Sequence, residues 1–246
     1  MSSPASEAHR PVEFAHGGVH LSLLLPASAD ALIDEAAFAR DERLPYWADL
    51  WPSAVALARH LLERELPPPP RGAAASDDVS ADPILELGCG VGLVSLAVAS
   101  RGHRALATDF EPEALEWATR NAIRNGLHLP TAMLDWRHPH SVAPARLVLA
   151  ADVLYEARNA EALATALAVL VSPGGRVLLA DPGRRWLEPF LGRMRGVGWR
   201  VTTLERRREQ GTAPGAAESE VTIVELLPPH ERGHATLDGA SIAPLP

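Results

Sequence analysis

Seven short apolar runs alternate with amphipathic stretches over the last two-thirds of the chain. Runs with the length of strands lie at 84–87, 104–108, 132–134, 147–150, 176–180, 199–204 and 220–226, and helical periodicity falls at 93–101, 112–125, 158–171 and 185–197. Strands separated by helices are typical of parallel strands joined by crossovers. We therefore predict an α/β fold with a Rossmann-like, doubly wound, mostly parallel seven-stranded sheet. The last two runs have no helix between them, which predicts an antiparallel edge hairpin.

The segments outside this core are less regular, and they divide the chain further. The predicted organisation is a flexible N-terminus at 1–18, an N-terminal flap with a cofactor-covering helix at 19–66, a Pro/Ala-rich connector at 67–82, the core at 83–227 and a flexible tail at 228–246. Within the flap we predict a strand at 19–25, a helix at 29–40, and a helix at 54–65 that is capped by Ser53.

Composition and charge exclude several classes of function. The 246 residues carry 23 basic and 31 acidic side chains, and the net charge of -8 argues against binding of nucleic-acid backbones. Mean hydropathy close to zero argues against a membrane protein. Cys89 is the single cysteine, which excludes an internal disulfide and a multi-cysteine metal site. We expect a cytoplasmic monomer with no metal and with no nucleic-acid or membrane partner, since no signal segment opens the chain.

The glycine-rich segment after the first core strand is the sharpest local motif. An apolar strand leads directly into Gly88, Gly90 and Gly92, and a helical pattern follows. Glycines at alternate positions let the backbone turn tightly and approach a ligand, and the next helix offers unpaired N–H groups at its N-terminus. The alternative is a tight strand-to-helix turn that binds nothing.

Acidic and aromatic residues stand at the ends of the next two strands. Asp109 lies 17 residues beyond Gly92, near the spacing at which a carboxylate meets the two hydroxyls of a ribose, although it could also cap the helix that begins near Pro112. Asp135 and Trp136 end the third strand, where an adenine ring could be hydrogen-bonded and covered. Ordinary core packing is the alternative for Trp136.

The acid that precedes the glycines distinguishes between two cofactors that such a sheet binds. Dinucleotide sites use Gly-x-Gly-x-x-Gly beneath a pyrophosphate, whereas here the pattern is Glu86-x-Gly88-x-Gly90-x-Gly92. A carboxylate beside a pyrophosphate is unfavourable in a partly desolvated pocket. The same carboxylate suits the cationic ammonium and sulfonium of S-adenosylmethionine, so we interpret the motif as an S-adenosylmethionine site.

At this point the chain resembles the class I, seven-strand S-adenosylmethionine-dependent methyltransferases, in their lysine methyltransferase-like branch. The resemblance runs from about 44 to 227 and is carried by four motifs: Pro-Tyr-Trp-Ala-x-x-Trp-Pro at 45–52, Glu-Leu-Gly-Cys-Gly-x-Gly at 86–92, Leu-Asp-Trp at 134–136, and Ala-Asp-Val-Leu-Tyr at 151–155. The last contains the Asp-x-x-Tyr signature of that branch. Asp-Pro-Gly-Arg at 181–184 is similar to the branch members that methylate the electron transfer flavoprotein beta subunit.

The resemblance implies an enzyme that transfers a methyl group to a lysine of a protein, with that flavoprotein subunit as the favoured target. It implies catalytic roles for Asp152 and Tyr155. The cofactor contacts that it and the local motifs predict are Trp51, Glu86, Gly88, Cys89, Gly90, Gly92, Asp109, Phe110, Asp135, Trp136 and Ala151. A small-molecule N-methyltransferase of the same fold, and a non-catalytic module that binds cofactor or a partner, are the alternatives.

Elementary chemistry is consistent with these roles. Transfer from a sulfonium requires a deprotonated amine held in line with the S–CH3 bond, so positioning and desolvation supply most of the acceleration. We predict that Asp152 accepts hydrogen bonds from the amine and that Tyr155, with Tyr46 or Trp47, lines an access channel. The alternatives are a helix cap for Asp152 and a core contact for Tyr155. Arg184 is predicted to bind a substrate carboxylate or to lie solvated at the surface.

Overall fold

A computed structural model describes residues 8–29, 32, 44–64, 66, 83–212 and 217–229. Its strands are β1 (His9–His16), β2 (Val19–Pro26), β3 (Ile84–Leu87), β4 (Ala105–Asp109), β5 (Thr131–Met133), β6 (Ala145–Ala151), β7 (Val171–Asp181), β8 (Arg200–Gln210) and β9 (Glu218–Leu227). Its α-helices are α1 (Pro52–Glu63), α2 (Leu93–Ser100), α3 (Pro112–Arg124), α4 (Ala157–Leu170) and α5 (Leu187–Gly196).

The main sheet confirms the predicted fold class. Its seven strands lie in the order β5-β4-β3-β6-β7-β9-β8, and β9 alone among them runs in the direction opposite to the other six. The predicted hairpin is therefore present, and it inserts its second strand between β7 and β8. β8 continues to Gln210, six residues past the predicted end, because these residues pair with β9 beyond a register shift between Thr203 and Glu205.

Alternate residues of the strands face two separate cores. In β3, Ile84 belongs to the core that α1, α2 and α3 cover, and Leu85 belongs to the core covered by α4 and α5. The period of two along buried strands produces this division, and it places helices on both faces of the sheet. The carboxyl ends of the parallel strands are thereby left at one edge, where loops of several elements meet.

The N-terminal segment differs from the prediction. Residues 9–16, expected to be part of a flexible terminus, form β1, which pairs with β2 through a two-residue turn. That turn is Gly17-Gly18, with φ of 56° and 79°, the left-handed conformation that tight hairpins require. The amide side chain of Asn121 on α3 bonds the backbone of Leu24, so the hairpin is fastened to the core domain.

The first helix also begins differently from the prediction. Trp51 is the N-cap residue of α1 and provides no side-chain cap, while Pro52 occupies the first turn. Ser53 is not the cap, because its hydroxyl donates instead to Asp152 Oδ2 at 3.2 Å. Most of the predicted helix at 29–40, the connector at 67–82 and nearly all of the tail at 228–246 lie outside the described residues.

Candidate active site

A cavity opens where the chain leaves the carboxyl ends of β3, β4 and β6. The order of the sheet reverses between β3 and β6, and open α/β sheets bind ligands at such a switch point. The cavity has a volume of about 240 Å³. Twelve of the thirteen predicted site residues line it: Trp51, Glu86, Gly88, Cys89, Gly90, Asp109, Phe110, Asp135, Trp136, Ala151, Asp152 and Tyr155.

Gly92 is the predicted site residue that lies elsewhere. Its φ is 91°, and a Cβ at this position would lie 3.0 Å from the Cβ of Ala118 on α3. The third glycine of the motif therefore permits close packing of two helices, while the first two face the cavity. At Gly90, with φ of 52°, a Cβ would come within 3.1 Å of the carbonyl oxygen of Trp47, so the loop passes directly beneath the N-terminal aromatic segment.

Two buried acidic side chains stabilise the glycine loop and the helix that follows it. Glu86 is 2% exposed, and its Oε2 accepts hydrogen bonds from the backbone N–H and the hydroxyl of Ser95 in α2. Burial raises the pKa of Glu86 to about 8. Asp109 Oδ2 accepts the N–H of Gly90 at 2.9 Å, and Oδ1 accepts the N–H of Glu111 at 3.0 Å. Burial raises the pKa of Asp109 as well. Asp109 thus fastens the loop and also shapes the turn into α3.

Aromatic and polar side chains close the cavity beyond β5. The ring of Trp136 lies next to Gly88, where a Cβ would approach it to 3.6 Å. Arg137 lies over the ring of Phe110 at 5.4 Å from the centroid. Its hydrogen bonds to Asp135 lower the pKa of that carboxyl to about 2. Asp135 is therefore ionised at neutral pH.

Cys89 and Ala151 contribute little more than backbone to the wall. The N–H of Cys89 donates to the carbonyl of Thr108, and burial raises the pKa of its thiol, so the sulfur stays protonated and inert. Ala151 ends β6 immediately before Asp152 and is partly buried at the cavity.

Asp152 is the most constrained residue of the site. Its φ is 60°, and among the described residues it is the single non-glycine with a positive φ. Such backbone strain concentrates at functional positions. Oδ1 accepts a hydrogen bond from Nε of Arg184, and Oδ2 accepts the hydroxyl of Ser53. Burial raises the pKa of Asp152, and the nearby Arg184 opposes that rise.

Three aromatic rings meet beside Asp152. Tyr46 lies 4.7 Å from Tyr155 and 6.3 Å from Trp51, measured between ring centroids. The indole N–H of Trp51 donates to the carbonyl of Tyr46 at 2.7 Å, which fixes the N-terminal segment over the cavity. Burial raises the pKa of Tyr155 to about 12, and its hydroxyl hydrogen-bonds Asn159. Tyr155 lines the cavity and belongs to neither hydrophobic core, which differs from the core-contact alternative.

Sequence reasoning missed how Ser53 and Arg184 take part. Ser53 was expected as a helix cap, and Arg184 as a ligand of substrate carboxylates or a solvated surface residue, yet both bind Asp152. Arg184 is held in turn by Asp181, whose Oδ1 accepts the N–H groups of Gly183 and Arg184 at 2.8 and 2.7 Å. The Asp-Pro-Gly-Arg motif at 181–184 was the signal in the sequence for Arg184, although the motif does not reveal that Arg184 binds Asp152.

The residues present fit S-adenosylmethionine. At Gly88 and Gly90 the backbone leaves space that any Cβ would fill. Asp109 stands at the end of β4, where a ribose is bound in such folds, and Trp136 lies at a strand end suited to an adenine. Among the described residues no group of three or more His, Cys, Asp and Glu side chains is placed to hold a metal ion. No described helix is long and apolar enough to cross a membrane.

This sheet order and this site define the class I methyltransferases. The 16S rRNA N2 G1207 methyltransferase of T. thermophilus superposes with a TM-score of 0.54 at 17% identity, covering 92% of this chain and 46% of that one, which supports the fold. A second solved structure, of a putative RNA methyltransferase from Pyrococcus horikoshii, gives a TM-score of 0.52 at 11% identity over 73% of this chain and 83% of that one.

Within that class, the chain belongs to the lysine methyltransferase family, which it matches over residues 41–194. It is 32% identical over 142 residues to the electron transfer flavoprotein beta subunit lysine methyltransferase of Xenopus laevis, covering 57% of this chain and 53% of that protein. It is 38% identical over 105 residues to the ribosomal protein L11 methyltransferase of Azotobacter vinelandii, covering 39% and 32%. The chain thus spans about half the length of the first relative and a third of the second.

Proposed function

We propose that this protein is an S-adenosylmethionine-dependent protein-lysine N-methyltransferase. The observation that carries the proposal is Asp152, a buried and strained carboxylate that lines the same cavity as the glycine loop. S-adenosylmethionine supplies an electrophilic methyl group on a sulfonium. Asp109 would hold its ribose, Trp136 would cover its adenine, and Asp152, at the end of β6, would face the acceptor.

The role proposed for Asp152 is to aim the amine. A free lysine has a pKa of about 10.4, so its ammonium has to lose a proton before attack. In the transfer, the lysine nitrogen forms the new N–C bond with its lone pair, the C–S bond breaks with its electron pair going to sulfur, and one proton leaves the nitrogen. A carboxylate oxygen that accepts an N–H bond of the amine directs the lone pair along the S–CH3 axis.

The three rings of Tyr46, Trp51 and Tyr155 would line the channel through which the lysine side chain enters. Their faces attract an ammonium by roughly 0.5 to 2 kcal/mol, and their bulk excludes water once the chain is seated. Exclusion of water favours the neutral amine over the ammonium, because burial penalises the charged form. A narrow aromatic channel of this kind suits a long flexible side chain presented by a protein.

The favoured target is the electron transfer flavoprotein beta subunit. The support is that relatives from Xenopus laevis and Danio rerio, at 32% and 31% identity, are named for lysine methylation of that subunit. We further propose that the protein acts as a monomer in the cytoplasm; the single cysteine, which excludes an internal disulfide, supports the compartment alone. Gel filtration with light scattering tests the first statement, and cell fractionation tests the second.

The direct test uses tritiated S-adenosylmethionine with purified flavoprotein beta subunit and, separately, with a lysate of the source organism. We expect a labelled protein band whose mark maps to lysine by mass spectrometry. The chain has no lysine of its own, since all 23 of its basic residues are Arg, so lysine label arising from self-methylation is excluded.

The alternatives give different results in the same experiment. Label confined to the small-molecule fraction would identify a small-molecule N-methyltransferase instead. Cofactor binding by calorimetry without label in any fraction would identify a non-catalytic module. A labelled protein other than the flavoprotein subunit, with the mark on lysine, would keep the activity and reject the target.

A further inference from the structure

The loop after β7 brings a second charged group to Asp152. Arg184 donates from Nε to Asp152 Oδ1, and its guanidinium lies 5.3 Å from the ring centroid of Trp51. The side chain of Asp152 is 3% exposed and that of Arg184 is 28% exposed, so the carboxylate is buried while the cation reaches it from the partly open side. Three separate segments of the chain therefore meet at one guanidinium.

The position of Arg184 is determined by its own loop. Asp181 is fully buried at the end of β7, and its Oδ1 accepts the backbone N–H groups of Gly183 and Arg184. Its Oδ2 is buried without a hydrogen-bond partner among the described residues. One carboxylate thus closes the turn that presents Arg184, and the ion pair with Asp152 completes it.

The charge of this pair bears on the chemistry of the cavity. An unpaired carboxylate next to the acceptor would stabilise the ammonium form of a lysine and so hold back the loss of its proton. A carboxylate that is already paired with a guanidinium contributes no net charge, yet its oxygen atoms still accept hydrogen bonds. The amine is then aimed without being kept protonated.

Resting on the proposed function, we propose that Arg184 is a positioning residue that balances the charge of Asp152, so that the Asp152–Arg184 pair presents no net charge to the acceptor. Asp181 supports this role by fixing the turn that carries Arg184. The acceptor that Asp152 receives is accordingly a neutral amine, and the pair itself adds no net negative charge that would attract the cationic sulfonium.

The test compares the affinities of S-adenosylmethionine and S-adenosylhomocysteine, which differ by the methyl group and its positive charge, and it needs no acceptor. Calorimetry at pH 8.5 gives the two Kd values for each full-length variant. Arg184→Gln is expected to change the ratio of the two Kd values in favour of S-adenosylmethionine, on the order of tenfold. Asp152→Asn is expected to change the ratio in favour of S-adenosylhomocysteine, also on the order of tenfold. The double variant is expected to return the ratio to that of the wild type.

Arg185→Gln is the matched control. It removes the same charge one residue away, where the side chain is exposed and lies on the ring of Trp186 at 4.7 Å. If Arg184→Gln and Arg185→Gln have the same ratio of ligand affinities, the charge-balancing role is overturned while the proposed function stays intact. If neither ligand binds the wild-type protein, the proposed function fails and this inference fails with it.

A second measurement distinguishes charge balancing by Arg184 from a merely structural role. Arg184→Lys keeps the charge but loses the planar guanidinium, so it is expected to keep the wild-type affinity ratio even if both affinities fall. With a lysine acceptor, Arg184→Gln is expected to move the rising limb of kcat against pH to higher pH, because the unpaired carboxylate holds the proton on the amine. A limb that stays in place would contradict the proposal.

Discussion

The two halves of the cavity are built by different means. The cofactor half, formed by the loop after β3 and the ends of β4 and β5, consists mainly of backbone turns fastened by nearby acids such as Glu86 and Asp109. The half around Asp152, which is proposed to receive the acceptor and is called the acceptor half, is assembled from distant segments: Ser53 and Arg184 reach Asp152 from 99 and 32 residues away in the sequence. Local chain geometry determines the first half, and tertiary packing determines the second.

This difference separates binding from turnover. Disrupting the cofactor half is expected to weaken cofactor affinity or to destabilise the fold, because its backbone is both the ligand cradle and a part of the core. Disrupting the acceptor half is expected to lower turnover while S-adenosylhomocysteine still binds. A variant in the acceptor half that loses affinity for S-adenosylhomocysteine, or one in the cofactor half that loses only turnover, would contradict this division of the cavity.

The largest effect is expected from Asp152→Asn. The amide keeps the size of the side chain but removes the carboxylate proposed to aim the amine, so turnover on the lysine acceptor is expected to fall about 100-fold or more. Affinity for S-adenosylhomocysteine is expected to stay within about twofold of wild type, since one twofold step is only about 0.4 kcal/mol. Single-turnover kinetics and calorimetry measure the two quantities.

Asp49→Asn is the control for that variant. Asp49 lines the same cavity and pairs with Arg10 at 3.1 Å, without contacting Asp152 in any hydrogen bond of the described residues. Its turnover is expected to remain near that of the wild type. Normal turnover in Asp152→Asn would remove Asp152 from the mechanism, and an equal loss in both variants would point to a general effect of cavity charge.

In the cofactor half, Gly92→Ala is expected to destabilise the protein. Alanine at this position has to adopt the left-handed backbone conformation, which costs about 1–2 kcal/mol. Its Cβ lies 3.0 Å from the Cβ of Ala118, which adds about 1–3 kcal/mol through overpacking. Gly102→Ala is the matched variant, since its φ is 78° with no heavy atom within 4 Å of the new Cβ. Urea unfolding compares the two. Equal losses would show that Gly92 has no packing role.

Asp109→Ala tests the ribose contact in the same half. Affinity for S-adenosylhomocysteine is expected to fall tenfold or more, about 1.4 kcal/mol per tenfold step, because the carboxylate holds the N–H of Gly90 and is proposed to bind the sugar. Glu113→Ala removes an exposed acid from the first turn of α3 and is expected to bind normally. Unchanged affinity in Asp109→Ala would assign that residue to the turn alone.

The contrast between the halves also explains what the sequence could predict. The strands and helices of the core follow from hydrophobic periodicity, and the stretch from Glu86 to Gly92 is a contiguous motif, so both were predicted, although β7 begins five residues before and β8 ends six residues past the predicted bounds. The partners of Asp152 were not, because the pairing of Ser53 and Arg184 with it depends on how α1 and β7 pack beside β6. β1 was not predicted, although Gly17-Gly18 is a hairpin signal.

The smallest effect is expected from Tyr155→Phe in the acceptor half. Burial raises the pKa of the Tyr155 hydroxyl to about 12, so it remains protonated at neutral pH and cannot serve as the base that accepts the proton of the amine. What the residue offers is its ring, 4.7 Å from that of Tyr46. Phe keeps this ring and loses only the hydrogen bond to Asn159, worth about 0.5–1.5 kcal/mol.

Tyr155→Phe is therefore expected to lower kcat/KM by about tenfold at most, with the pH profile unchanged. Tyr155→Ala removes the ring as well and is expected to raise KM for the lysine acceptor, because an aromatic face that attracts the ammonium is lost. Parallel kinetics on both variants separate ring from hydroxyl. If Tyr155→Phe lost as much activity as Tyr155→Ala, the hydroxyl would have to contact the acceptor directly, and the division of labour between Asp152 and the aromatic channel would need to include it.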